Sequence, residues 1–249
     1  MRPAFCLATL LTLLSAAPAP AQQSDFVRIL LPITSADTPG SFGSLWTTEI
    51  WFRNDSTTPT SIFPLIGGDQ GLTRGVTLPL SIDRPPAGAP PGQFVYILKA
   101  AEADFRFQVR VRDLSRQRGS FGVEIPVAHD DDFIDHPLSL IQVPTSARFR
   151  AMVRIYDAGA GGAGTVHVAA VDEKTEQVLA ATDLSLPTTG FPLYSPGYAQ
   201  LGPLTASLPG IAAAERIRIE LTPSSGARIW AFISITDNET QEITTITPR

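Results

Sequence analysis

Residues 105–113 read FRFQVRVRD, so that Phe105, Phe107, Val109 and Val111 alternate with Arg106, Gln108, Arg110 and Arg112. Successive side chains of a β-strand point to opposite faces. A period of two therefore turns the apolar set toward a core and the polar set toward water. Two other stretches repeat the pattern. In 148–156, Phe149, Ala151, Val153 and Ile155 alternate with Arg148, Arg150, Met152 and Arg154; in 216–221, Ile217, Ile219 and Leu221 alternate with Arg216, Arg218 and Glu220. Further strands are expected at 26–33, 45–53, 60–66, 76–82, 93–99, 119–127, 138–143, 164–172, 177–185, 198–206, 227–236 and 241–247. Turn-rich segments such as TPGSFGS (38–44), DRPPAGAPPG (83–92), DAGAGGAG (157–164) and TPSSGA (222–227) separate them. Only Lys99 to Asp104 and Ile211 to Glu215 invite a helical reading, and both are too short to stand as independent helices. About fifteen short strands divided by turns define an all-β chain of antiparallel sandwich type.

The chain also repeats itself. FRFQVRVRDLSRQRGSFGVEIPV runs strand, Asp113, polar turn, strand, Pro126; ARIWAFISITDNETQEITTITPR runs strand, Asp237, polar turn, strand, Pro248. The starts match more loosely, VRILLPITS and LWTTEIWFRNDS against LSLIQVPTS and FRAMVRIYDAG. This reads as duplication of a unit of roughly 110 residues. The expected division is 22–128, a joint over 129–137, and 138–249. LWTTEIWFRNDSTTPTSIF resembles the early hairpin of bacterial immunoglobulin-like modules, and the two Asp-turn-Pro blocks resemble their last hairpin. The chain as a whole is similar to secreted bacterial proteins with two such modules. The resemblance implies two tandem immunoglobulin-like antiparallel β-sandwich domains and carries no functional residue with it. The paired cysteines of antibody domains are absent.

Residues 1–21 read as a cleavable signal peptide: Arg2, the apolar run Ala4 to Leu14, then Ala19-Pro20-Ala21 before Gln22. The apolar run is shorter than the roughly 20 residues that a membrane span requires. A secreted chain, periplasmic or extracellular, is the expectation. Cys6, the only cysteine, lies inside that leader. After cleavage no disulfide, thiolate metal site or cysteine nucleophile is available. The formal charge of −5 argues against nucleic acid as a partner. No later segment is apolar enough to span a membrane. Lys99 and Lys174 are the only lysines, and with the abundant alanine and proline this points to a GC-rich bacterial genome.

The densest polar cluster is His129, Asp130, Asp131, Asp132, Asp135 and His136. It has the donors for calcium or zinc, but the spacing of neither an EF-hand nor a histidine pair on one helix face, and a solvated joint is the favoured reading. No cofactor is expected. No G-x-S-x-G turn accompanies His129, His136 or His167, which argues against a serine hydrolase. Glu49, Asp55, Glu102, Asp104, Glu124 and Asp172 supply carboxylates for a glycan hydrolase, the enzymatic alternative. The favoured reading is a non-enzymatic binding module that meets a protein or polysaccharide partner through loops, strand edges or exposed aromatics. Assembly by strand addition is the other alternative. Trp46 and Trp51 are an odd number apart, so one of them must leave the core. Trp230 is offset from Ile229, Ala231 and Ile233 and shares its face with Phe232. Trp46, Trp51, Trp230 and Phe232 are therefore the candidate partner-binding residues. The arginine rows Arg106, Arg110, Arg112 and Arg148, Arg150, Arg154 are expected on polar faces, paired with acids or facing an anionic polysaccharide.

Overall fold

The computed structural model describes residues 25–34, 37–55, 62–63, 77–79, 92–115, 122–159, 164–187 and 195–248. The leader read over 1–21 and most of the strand expected at 60–66 lie outside them. The described residues are all-β, in four antiparallel sheets. In the first sheet, β1 (Phe26–Leu31) lies between β5 (Gln93–Leu98) and β8 (Ala128–His129). The second is centred on β3 (Leu45–Asn54). On one side β3 pairs with β6 (Phe105–Asp113), which turns back into β7 (Val123–Ile125); on the other it pairs with β2 (Thr38–Pro39) and β4 (Thr77–Pro79).

The third sheet is centred on β10 (Phe149–Asp157), between β13 (Gly197–Leu201) and β15 (Ile229–Asp237), and β15 turns back into β16 (Ile243–Ile246). In the fourth, β11 (Gly164–Asp172) lies between β12 (Val178–Leu186) and β14 (Arg216–Pro223), which pairs in turn with β9 (Leu138–Pro144). The two short helical expectations are 3₁₀ helices, of six residues at Lys99–Asp104 and of three at Ile211–Ala213. The strand expected at 198–206 stops early, because the chain leaves the sheet after Leu201 and winds one α-helical turn, α1 (Leu204–Ser207), that buries Leu204.

Alternation fixes the register. In the β3–β6 pair, Ile50 lies opposite Val109 on the buried side and Trp51 lies opposite Gln108 on the outer side. Asp113 and Asp237 hold corresponding places. Each ends the long strand of a hairpin, and its Oδ1 accepts backbone N–H groups from the turn that follows, Ser115 in one case and Glu239 and Thr240 in the other. One apolar cluster fills the space between the third and fourth sheets, with Val153, Ile155, Val168, Ile219 and Ile233 fully buried.

The other cluster is built from β1, β3, β5 and β6, and it includes four residues of the C-terminal half: Tyr156, Ala158, Trp230 and Phe232. Tyr156 stacks on Phe232 with ring centroids 6.4 Å apart and planes within 5°. Its hydroxyl donates to the carbonyl of Pro32. Gly92, with φ of +114°, lies against this ring, and a Cβ there would stand 2.8 Å from Tyr156 Cε1. In β1 the consecutive residues Ile29, Leu30 and Leu31 are all buried, so both faces of that strand are covered.

The segment 129–137, expected as a solvated joint, is exposed at Asp131, Asp132 and 135–137 and is anchored at its other positions. Ala128 and His129 pair with β1, Phe133 is buried, and Ile134 bridges to Ile229. Arg28 binds Asp130 at 2.9 Å through Nε, and Arg228 Nη2 donates to the Asp130 carbonyl at 2.8 Å. An apolar residue at 133 inside an acidic run provides the anchor, and burial of its ring outweighs the exposure that its neighbours favour.

Candidate functional site

The four candidate aromatics divide. Trp230 and Phe232 are buried, at 6% and 0% of full exposure, so the expectation that they face a partner is overturned. The sheet face they share is an outer face only of the C-terminal sandwich, and the first cluster covers it. Trp46 is half-buried on the core side of β3. Trp51 is the one that leaves the core, 36% exposed.

Trp51 stands in the middle of the second sheet's outer face. Register places Gln108 beside it on β6 and Pro79 beside it on β4, followed by Arg53 opposite Arg106 and Glu49 opposite Arg110. The acids here are engaged: Glu49 with Arg112, Asp55 with Arg53, and Glu124 with the Gln108 amide at 2.9 Å. Each such surface pair contributes about 0–1 kcal/mol. Together they leave an exposed indole among guanidinium and amide groups.

Of the second arginine row, Arg148 is exposed and the other two are half-buried. Arg150 and Arg154 project from β10 into a cleft of about 490 Å³ between the third sheet and the Thr38–Ser41 segment with β3. Trp46 and Thr48 line it on one side and Gln200 and Ser234 on the other. A hollow of about 230 Å³ adjoins it, sharing Trp46, Val111 and Ile243. Arg150 donates to Asn238 Oδ1 at 2.6 Å and Gln241 Oε1 at 3.2 Å, and its guanidinium lies 5.2 Å from the Phe42 ring centroid. Arg154 donates to Ser234 Oγ at 2.7 Å and lies 5.6 Å from the Phe232 centroid. Of the row, Arg148 has a carboxylate partner, Asp237, at 2.8 Å. Among the described residues that line the cleft, the charged ones are Arg150 and Arg154. Beneath them, burial pushes the Tyr198 hydroxyl up to about 12 although neighbouring Arg154 pulls the other way. Its O–H donates to Gln200 Oε1 at 2.8 Å.

The acidic and histidine cluster does not converge on a point. His129 Nδ1 turns to Glu102 at 3.0 Å, Asp130 to Arg28, Asp132 to the His129 backbone N–H at 2.7 Å, and His136 to Asp135 at 3.5 Å. Among the described residues no three His, Cys, Asp or Glu side chains gather as a metal site. His167 pairs with Asp183 at 2.7 Å, both exposed on the fourth sheet. Of the remaining carboxylates named from the sequence, Glu49 and Glu124 flank Arg110 across the sheet and Glu102 is held by His129. Asp172 caps the turn after β11, where the backbone N–H of Lys174 holds its carboxyl below the usual range. The cleft was not visible in the sequence as a site. Its trace is Met152, which interrupts the arginine row, together with Tyr156, Trp230 and Phe232 at outward positions of the same sheet.

No protein-family model matches the chain, and neither the curated proteins nor the solved structures contain a match to it. Among the described residues no helix is long and apolar enough to cross a membrane.

Proposed function

We propose that this chain is an exported, non-enzymatic binding module, built as two tandem immunoglobulin-like sandwiches, that recognises a glycan on the outer face of its second sheet. The observation that carries this reading is Trp51, an exposed indole on the outer side of β3 whose neighbours are Gln108, Arg53 and Arg106. An indole covers the apolar side of a sugar ring, while amide and guanidinium groups donate to its hydroxyls. The paired state of Glu49, Asp55 and Glu124 favours binding over hydrolysis, since none is placed opposite another across a cleft.

A glycan array probed with the wild-type protein and with Trp51→Ala tests the reading. Binding by the wild type that Trp51→Ala abolishes, with an unchanged melting temperature, supports it. Identical array profiles, or capture of a protein through Trp51 instead, would sink it.

Assembly by strand addition has one observation in its favour. β12 is a nine-residue strand at the edge of the fourth sheet, and Asp183 is its only charged residue.

A further inference from the structure

We infer that the cleft between the two halves is a second site, distinct from the Trp51 face, and that it takes a small acidic sugar of one or two rings whose carboxylate is bound by Arg154. The inference does not depend on the Trp51 reading.

The first argument is electrostatic. The chain carries a net charge of −5, yet among the described residues that line this cleft the charged ones are Arg150 and Arg154, and Asp113 and Glu242 lie in the adjoining hollow. Among the described residues Arg28, Arg53, Arg112, Arg148 and Arg218 each meet a carboxylate. Arg154 instead meets a hydroxyl, Ser234 Oγ, and among the described residues it has no carboxylate partner. A guanidinium presents five N–H donors in a rigid fork, and a carboxylate accepts two of them side by side. Partly removed from water, such a pair is worth more than on an open surface. The Phe232 ring centroid lies 5.6 Å from the Arg154 guanidinium carbon.

The second argument is the rest of the lining. Gln200, Ser234, Thr236 and Thr48 offer amide and hydroxyl groups that exchange hydrogen bonds with sugar hydroxyls, and the half-buried Trp46 supplies an aromatic surface. An inorganic anion would leave these groups idle, and an apolar acid would bury them unpaired. The volume of about 490 Å³ falls in the range of small-ligand pockets, roughly 300–1,000 Å³. The Trp46 wall is close-set: a Cβ on Gly40 would stand 2.4 Å from Trp46 Nε1, so the 38–41 segment holds the indole in place only with glycine at position 40.

Isothermal titration calorimetry of the full chain with digalacturonate as probe tests the inference, with the neutral digalactose, free acetate and a carboxylate-ended dipeptide alongside. Digalacturonate should bind one to one, weaken as sodium chloride rises, and bind Trp51→Ala as it binds the wild type. Digalactose and acetate should give no saturable heat. Arg154→Gln should weaken binding at least tenfold. Should Arg154→Gln fail to fold, Gln200→Ala, at an exposed position, should weaken binding several-fold with an unaltered melting temperature. No saturable heat with digalacturonate, equal binding by folded Arg154→Gln, or tighter binding of the dipeptide would each overturn the inference.

Discussion

Asp237 is the residue whose chemistry is most completely accounted for. Its Oδ1 accepts the backbone N–H of Glu239 and of Thr240, and its Oδ2 meets Arg148. These donors favour the ionised carboxylate and, against some desolvation, hold it below the ordinary value of 3.8. A carboxyl depressed in the folded state contributes stability that is present above the unfolded value and is lost as pH falls through the folded one. The melting temperature should therefore lose this contribution as pH falls below about 4. Asp237→Asn should melt lower than wild type at neutral pH and show a shallower acid dependence, as read by thermal unfolding followed by circular dichroism across that range. Asp113 holds the matching place in the first hairpin, and the correspondence was already plain in the sequence because a strand-ending Asp followed by a polar turn has one favourable local use.

At the scale of elements, alternation located nearly every strand, because the period-2 signal depends only on which side of a sheet is dry. It could not tell what lies beyond the other side. Trp230 and Phe232 on β15, and Tyr156 on β10, occupy outward positions by any period-2 count, and they are dry because a different part of the chain lies on them. Aromatic residues at three neighbouring outward positions were the available signal, since such side chains rarely cluster on a solvated face. β1 shows the same effect in a continuous apolar run, Ile29-Leu30-Leu31, where burial of both faces erases alternation. The Trp51 face was half legible: the odd spacing from Trp46 required one indole to leave the core, but only strand pairing brings Gln108 and Arg106 to it. Phe232→Ala should cost about 3–5 kcal/mol in urea unfolding, the loss expected for a buried ring whose space cannot collapse. A solvated aromatic at that position would cost a small fraction of it.

Taken whole, the molecule is held across its midline by chemistry of several kinds. Arg28 reaches Asp130 and the Ala158 carbonyl, Tyr156 reaches Pro32, and Ile134 pairs with Ile229. Because Tyr156 is fully buried, its hydroxyl is pushed well above the usual phenol value, and the ring is dry only while both halves are present. Sequence could propose a duplication and a break near 129–137, but a repeat says nothing about how its copies meet. That meeting creates the arginine-lined cleft.

The aromatic triplet Tyr156, Trp230 and Phe232 has a consequence for how the chain can be taken apart. A fragment of residues 138–249 would carry its own complete sandwich interior and yet present three adjoining rings to solvent. Produced alone, it should self-associate in light scattering and bind a hydrophobic dye. The intact chain should melt in one calorimetric transition whose van't Hoff and measured enthalpies agree. Two separate endotherms would mean that the rings tie the halves together less tightly than their burial implies. A sheet whose outward side has become part of a second interior cannot be cut free without exposing it.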